Sequence, residues 1–163
     1  MTGASMAKRV AAGDGRVIQL FGVRFRYKIE SADAGGSLCV LEVEIPPKTL
    51  VKPHTHSRED EYTLVLDGTV GLRVGDRYDE AGPGDYLVKP RGIAHAMWNA
   101  DSRPAKVVEM LAPGGLEEYF AELAPVLARH EPPAAYYGLA ERYGLTILDD
   151  WIEDIEQRYG VKL

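Results

Sequence analysis

Period-two alternation of apolar and polar residues dominates the first two thirds of the chain. In VRFRYKIE, residues 23–30, Val23, Phe25, Tyr27 and Ile29 share one face while Arg24, Arg26 and Lys28 take the other, as in a half-buried strand. LCVLEVEI, residues 38–45, sets Cys39, Leu41, Val43 and Ile45 against Glu42 and Glu44, and the paired glycines of the intervening SADAGGS favour a turn. Further on, Asp67-Gly68 and Gly75-Asp76 each separate two β-rich runs, so both are predicted as two-residue hairpin turns. KVVEML, residues 106–111, closes the series. Short strands at near-regular spacing with glycine-rich turns predict an antiparallel sandwich or barrel.

The period changes at Gly115. Leu116, Tyr119, Phe120 and Leu123 follow helical spacing, and Pro125 is expected to kink or end that helix. AAYYGLAERYG and DDWIEDIEQRYG predict two more helices, each closed by a glycine suited to a left-handed cap. The chain therefore divides into a flexible leader over 1–16, a β-barrel over 17–112 and a helical extension over 113–163. The extension is expected to pack on an outer face of the barrel or across a subunit interface.

Composition narrows the function. At 163 residues and 17.9 kDa the chain suits one core. No apolar run approaches the ~20 residues needed to span a bilayer, and no apolar stretch follows the basic residues near the N-terminus, so a cytoplasmic protein without a membrane partner is expected. Cys39 is the single cysteine, which excludes an internal disulfide and a cysteine-rich zinc site. The net charge of -6 falls entirely on residues 115–163, a distribution that repels phosphate and argues against nucleic acid as a partner.

The candidate chemistry lies in HTHSREDE, residues 54–61. His54 and His56 alternate as strand neighbours do and present two imidazoles to one face, a geometry suited to a metal. Glu61 begins the next strand and is the best-placed carboxylate partner, whereas Glu59 and Asp60 are expected in a solvated turn. Downstream, GDYLVKPRGIAHAMWN, residues 84–99, ends a strand in a Pro-x-Gly turn and opens another at His95. Trp98 is expected to face away from that site, against a helix or partner, and His130 to lie at the surface.

Taken together these segments resemble the cupin superfamily. Its first motif reads glycine, five residues, His-x-His, three or four residues, Glu, six residues, glycine; His54, His56, Glu61 and Gly68 match it, with Lys48 in place of the opening glycine. The second motif is matched at Gly84, Pro90, Gly92, His95 and Asn99. The resemblance implies a mainly β fold, an antiparallel double-stranded β-helix or jelly-roll barrel carrying C-terminal α-helices. It also implies one divalent metal ion (Fe, Mn, Ni, Cu, Co or Zn) held by His54, His56, Glu61 and His95. By strand parity Tyr27, Leu41, Val43, Thr63, Val65, Met97 and Asn99 are assigned to the substrate pocket, with no arginine or lysine among the inward positions.

An apolar pocket of this kind suits a small aromatic or enol-type molecule. The leading expectation is a metal-dependent dioxygenase resembling quercetin dioxygenase-like cupins, with Glu61 as ligand and catalytic base. A metal-dependent isomerase or decarboxylase, or a non-enzymatic binding protein, are the alternatives. The apolar outer face of EYTLVL, formed by Tyr62, Leu64 and Leu66, points to a homodimer unless the helices cover it.

Overall fold

Alternation along the strands becomes two facing antiparallel sheets. The computed structural model describes residues 7–163, so the first six residues of the expected leader lie outside the described residues. Residues 7–16 run along the second strand, where Lys28 Nζ donates to the carbonyl of Ala11 at 2.6 Å and to that of Asp14 at 3.0 Å. Ten strands precede the first helix among the described residues: β1 (Val17–Leu20), β2 (Val23–Ile29), β3 (Cys39–Ile45), β4 (Thr49–His56), β5 (Asp60–Asp67), β6 (Val70–Val74), β7 (Arg77–Ala81), β8 (Tyr86–Lys89), β9 (His95–Asn99) and β10 (Ala105–Ala112). Helices α1 (Glu117–Ala128) and α2 (Pro133–Arg142) follow, then a short strand β11 (Leu145–Ile147) and α3 (Ile152–Tyr159).

One sheet runs β1-β2-β3-β10-β5-β8 and the other β11-β4-β9-β6-β7, all pairs antiparallel. Their inner faces supply the core: Cys39, Leu41, Val43 and Ile45 from β3 meet Ala105, Val107 and Leu111 from β10, and all are buried. This is the jelly-roll barrel expected.

Several local expectations change. Gly75-Asp76 is a two-residue hairpin turn, with Val74 opposite Arg77. Asp67-Gly68 is not, because β5 and β6 belong to different sheets and the turn carries the chain across the barrel. Gly68 takes φ 76° there, a conformation glycine adopts freely. Pro125 does not end α1, which continues to Ala128. β1 and β11 were not legible: the first is a four-residue strand joined to β2 through Phe21 and Gly22, both at positive φ, and the second is a three-residue edge strand on β4. Lys48, standing where the motif has glycine, takes the left-handed φ of 57°. Its Nζ donates to the Ala100 carbonyl, and its own carbonyl accepts from Lys162 N at 2.8 Å.

The helices divide their work. α3 packs on the outer face of the five-stranded sheet, where Leu50, Ala96, Trp98, Ile155 and Val161 form a separate buried cluster. Trp98 faces outward as expected, its ring 4.4 Å from that of Tyr159. α1 and α2 instead cover the barrel mouth, with Phe120 stacked on Phe25 at 4.7 Å. The outer face of the six-stranded sheet stays uncovered by helices, and Tyr86 and Val88 are 70% and 58% exposed there. No helix among the described residues is long and apolar enough to cross a membrane.

Gly71 is needed where Trp98 crosses β6, because a Cβ at this position would lie 2.2 Å from the indole nitrogen. Gly71→Ala is therefore expected to destabilise the protein by roughly 1–3 kcal/mol through overpacking, read from urea unfolding followed by tryptophan fluorescence. An unchanged midpoint would show that the Trp98–α3 packing yields without cost.

Candidate metal centre

The two histidines of HTH reach the barrel interior because β4 carries a bulge. Val51 pairs with Met97 and His54 with His95, so three steps along β4 match two along β9. Without the extra residue, Val51 and His54 would have opposite parity and the imidazole would point outward. Pro53 lies inside this irregularity, where a residue with no N–H costs no ladder hydrogen bond. The turn of the second motif then locks onto the first: Gly92 N donates to the His56 carbonyl at 2.7 Å, at φ 74°.

His54, His56, Glu61 and His95 converge, their ligand atoms all within 4.8 Å of one another. His54 Nε2 lies 3.0 Å from His56 Nε2 and 3.2 Å from His95 Nε2. Glu61 Oε2 lies 3.0 Å from His56 Nε2 and 3.2 Å from His95 Nε2. On the far side of two rings, His54 Nδ1 faces the Lys52 carbonyl at 2.6 Å and His95 Nδ1 the Ile93 carbonyl at 3.1 Å. A carbonyl only accepts, so each Nδ1 carries the proton and each Nε2 presents a lone pair inward. Two inward lone pairs at this distance repel, and Glu61 Oε2 is buried with no hydrogen-bond partner. A divalent cation satisfies all of these groups at once, so the residues fit the metal that the motifs imply.

Electrostatics prepare the donors. Burial, reinforced by the neighbouring imidazoles of His95 and His56, holds the His54 imidazole well below its usual range and therefore neutral. Burial alone would lower His56 too, but the carboxylates of Glu59 and Glu61 raise it to about 9. Glu59 is buried with Oε2 3.5 Å from His56 Nδ1, so the expectation that it is solvated is corrected. Asp60 instead pairs with Arg91 at 2.7 Å near the surface. His130 is exposed, as expected.

A charged row inside the barrel went unpredicted. Lys89 is 2% exposed and donates to Glu61 Oε1 at 2.5 Å and to both oxygens of Glu109 at 3.2 Å. Thr63 Oγ1 donates to Glu109 Oε2 at 2.8 Å. Burial would raise the Glu61 carboxyl, but the Lys89 ammonium, with the facing imidazoles of His56 and His95, holds it well below the usual carboxylate range. Burial, with Glu61 adding its charge, pushes Glu109 up to about 8 against the pull of Lys89. The inward positions thus include a lysine after all.

A cavity of about 230 Å³ opens above the cluster, and its walls are mostly apolar. Of the residues assigned to the pocket, Leu41, Val43 and Met97 line it. The other four stand elsewhere for identifiable reasons. Tyr27 Oη donates to the Glu117 carbonyl at 2.6 Å, fastening the start of α1. Thr63 is fully buried behind Glu109, and Val65 lies deeper in the core. Asn99 Nδ2 donates to the carbonyls of Ile45, Pro46 and Arg103, tying the β3–β4 and β9–β10 connections together. Parity alone missed Tyr119, Phe120 and Tyr136, because the helices bring an aromatic roof to the mouth, and Phe25 on the inner face of β2 lines the cavity beneath it.

Residues 41–111 match the family model described as the cupin domain. Residues 41–111 form a cupin domain. The cupin barrel is similar to the KdgF structure from Halomonas sp., with TM-score 0.61 and 16% identity over 69% of this chain and 99% of the other. It is also similar to the polyketide cyclase RemF from Streptomyces resistomycificus, with TM-score 0.59 and 27% identity over 66% of this chain and 80% of the other. In sequence, the chain is 30% identical to Germin-like protein 3-1 of Oryza sativa subsp. japonica, across 81% of this chain and 59% of the relative. The chain spans between 36% and 59% of the length of the curated relatives it matches.

The raised His56 fixes a pH dependence. A group moved from 6.5 to about 9 lends the metal-free fold stability that is complete below pH 6.5 and lost as pH rises through about 9. A bound cation displaces the same proton, so apparent affinity for Zn²⁺ or Mn²⁺ is expected to rise about tenfold per pH unit below pH 9. Calorimetric titrations in buffers of different ionisation enthalpy should count about one proton released per ion; a pH-independent affinity would contradict the protonated His56.

Proposed function

We propose that this cupin is a metal-dependent enzyme acting on a small aromatic or enolisable molecule that binds the metal through oxygen. One observation carries the reading: four metal-directed donors form the floor of a cavity whose walls are apolar and whose roof is aromatic. His54, His56, Glu61 and His95 would hold the ion, a six-coordinate ion would keep two positions for substrate, and when bound it would supply Lewis acidity or redox chemistry to an oxygen-bearing group there. Leu41, Val43 and Met97 exclude water from that end, while Phe25, Phe120 and Tyr136 receive the body of the substrate.

Dioxygenation remains the leading reaction of the bound enol. The similarity to a polyketide cyclase at 27% identity favours a second reading, in which the same enol condenses or isomerises without dioxygen. Both need a proton acceptor beside the metal. Glu61 serves poorly, because its Oε2 faces the metal-directed imidazoles and the Lys89 ammonium holds its carboxyl well below the usual range. Glu109 stands on the cavity wall and is raised to about 8, so it exchanges a proton near neutral pH and takes that role.

Glu109→Gln is expected to lower kcat by about 10²- to 10⁴-fold while metal content is retained, whereas Glu61→Gln should weaken the metal first. The substrate panel for metal-reconstituted protein is a flavonol, a 1,3-diketone and an aromatic polyketone, followed with an oxygen electrode and by product mass. Oxygen uptake coupled to product identifies the dioxygenase, and product without uptake the cyclase or isomerase. Saturable binding with no product from any of the three would contradict the enzyme reading in favour of a binding protein.

A further inference from the structure

Lys89 sits in the barrel at a place where an apolar residue would close the core without charge. It is buried, it belongs to the edge strand β8, and the ladder sets it opposite Glu61, so the two side chains share the inner face. Its contacts are selective. Nζ meets Glu61 Oε1 at 2.5 Å, while Oε2 of the same carboxylate turns to the imidazoles of His56 and His95 at 3.0 and 3.2 Å. Glu109 steadies the ammonium from the other side, with both oxygens at 3.2 Å, and Thr63 steadies Glu109. A carboxylate that accepts a strong charge-assisted hydrogen bond on one oxygen is divided into one oxygen for the lysine and one for the cation.

The geometry points to Lys89 as the residue that sets how Glu61 binds the metal: it reserves Oε1, so that Glu61 binds through Oε2 alone and the ion keeps two positions for substrate. The inference rests on the metal-site reading above. Lys89 is a positioning residue, since it acts through Glu61. Without it, both carboxylate oxygens are free to close on the ion and occupy one of the two substrate positions.

Mn²⁺ is the probe, because the relaxation it induces in water protons scales with the number of exchangeable waters on the ion. Lys89→Met combined with Glu109→Gln removes the ammonium without leaving Glu109 as an unpaired buried carboxylate, so that only Glu61 Oε1 is freed. Relaxivity per bound Mn²⁺ is expected to fall by about half in this variant as the ion passes from two open positions to one. Equal relaxivity in the two loaded proteins, or loss of Mn²⁺ by a folded variant, would overturn the assignment and leave Lys89 a structural residue. A crystal structure of the Mn²⁺-loaded wild type separates the two outcomes without any variant: Oε2 alone on the ion with Oε1 on Lys89 supports the assignment, and both oxygens on the ion overturn it. Wild-type protein that takes up no Mn²⁺ or other divalent ion overturns the metal-site reading itself, and is thereby told apart from a failure of the denticity claim.

Discussion

Three imidazole nitrogens and a carboxylate oxygen held at 3.0–3.2 Å from one another are satisfied together by a single cation, and this constraint organises the barrel. The carbonyls of Lys52 and Ile93 fix two of the rings with their lone pairs inward. The bulge at Lys52–Pro53 brings His54 onto the inner face, and the turn at Gly92 fastens the two motif segments together. Local backbone features that would weaken an ordinary strand, a proline and a register shift, here aim a ligand.

Around this centre the charges form a balanced row rather than an isolated pair. Glu61 and Glu109 share one ammonium, Lys89, in an interior where any one of them alone would be strongly disfavoured. The arrangement gives the two carboxylates different characters, one held as an anion toward the three imidazoles and one raised into the neutral range on the cavity wall. Apolar walls and the aromatic roof of α1 and α2 border the same space, and an apolar surrounding strengthens the charge interactions within it.

Much of this was legible. His54, His56, Glu61 and His95 stand at motif spacing, and the long alternating strands β2, β3 and β5 announced their inner faces. Lys89 was hidden because Tyr86 and Val88, the apolar partners in its strand, face outward, so hydrophobic parity along β8 reads inverted. Glu109 was obscured for a related reason: β10 is apolar on both faces, and its inward set is fixed only by pairing with β3 and β5. Short β1 and β11 carry too few residues to show a period, and the roof over the cavity depends on tertiary packing of α1 and α2. Tyr27 and Asn99 show the limit of parity itself, since each is buried yet spends its polar atoms on backbone groups rather than on the pocket.

The central claim is that the four converging donors hold a divalent cation. Elemental mass spectrometry on untagged protein purified without chelators, beside the His54→Ala/His95→Ala variant, tests it most directly. Close to one transition-metal ion per wild-type chain is expected, together with its loss in a variant that remains folded. A folded wild-type protein that carries no metal and acquires none on incubation with divalent ions would contradict the claim.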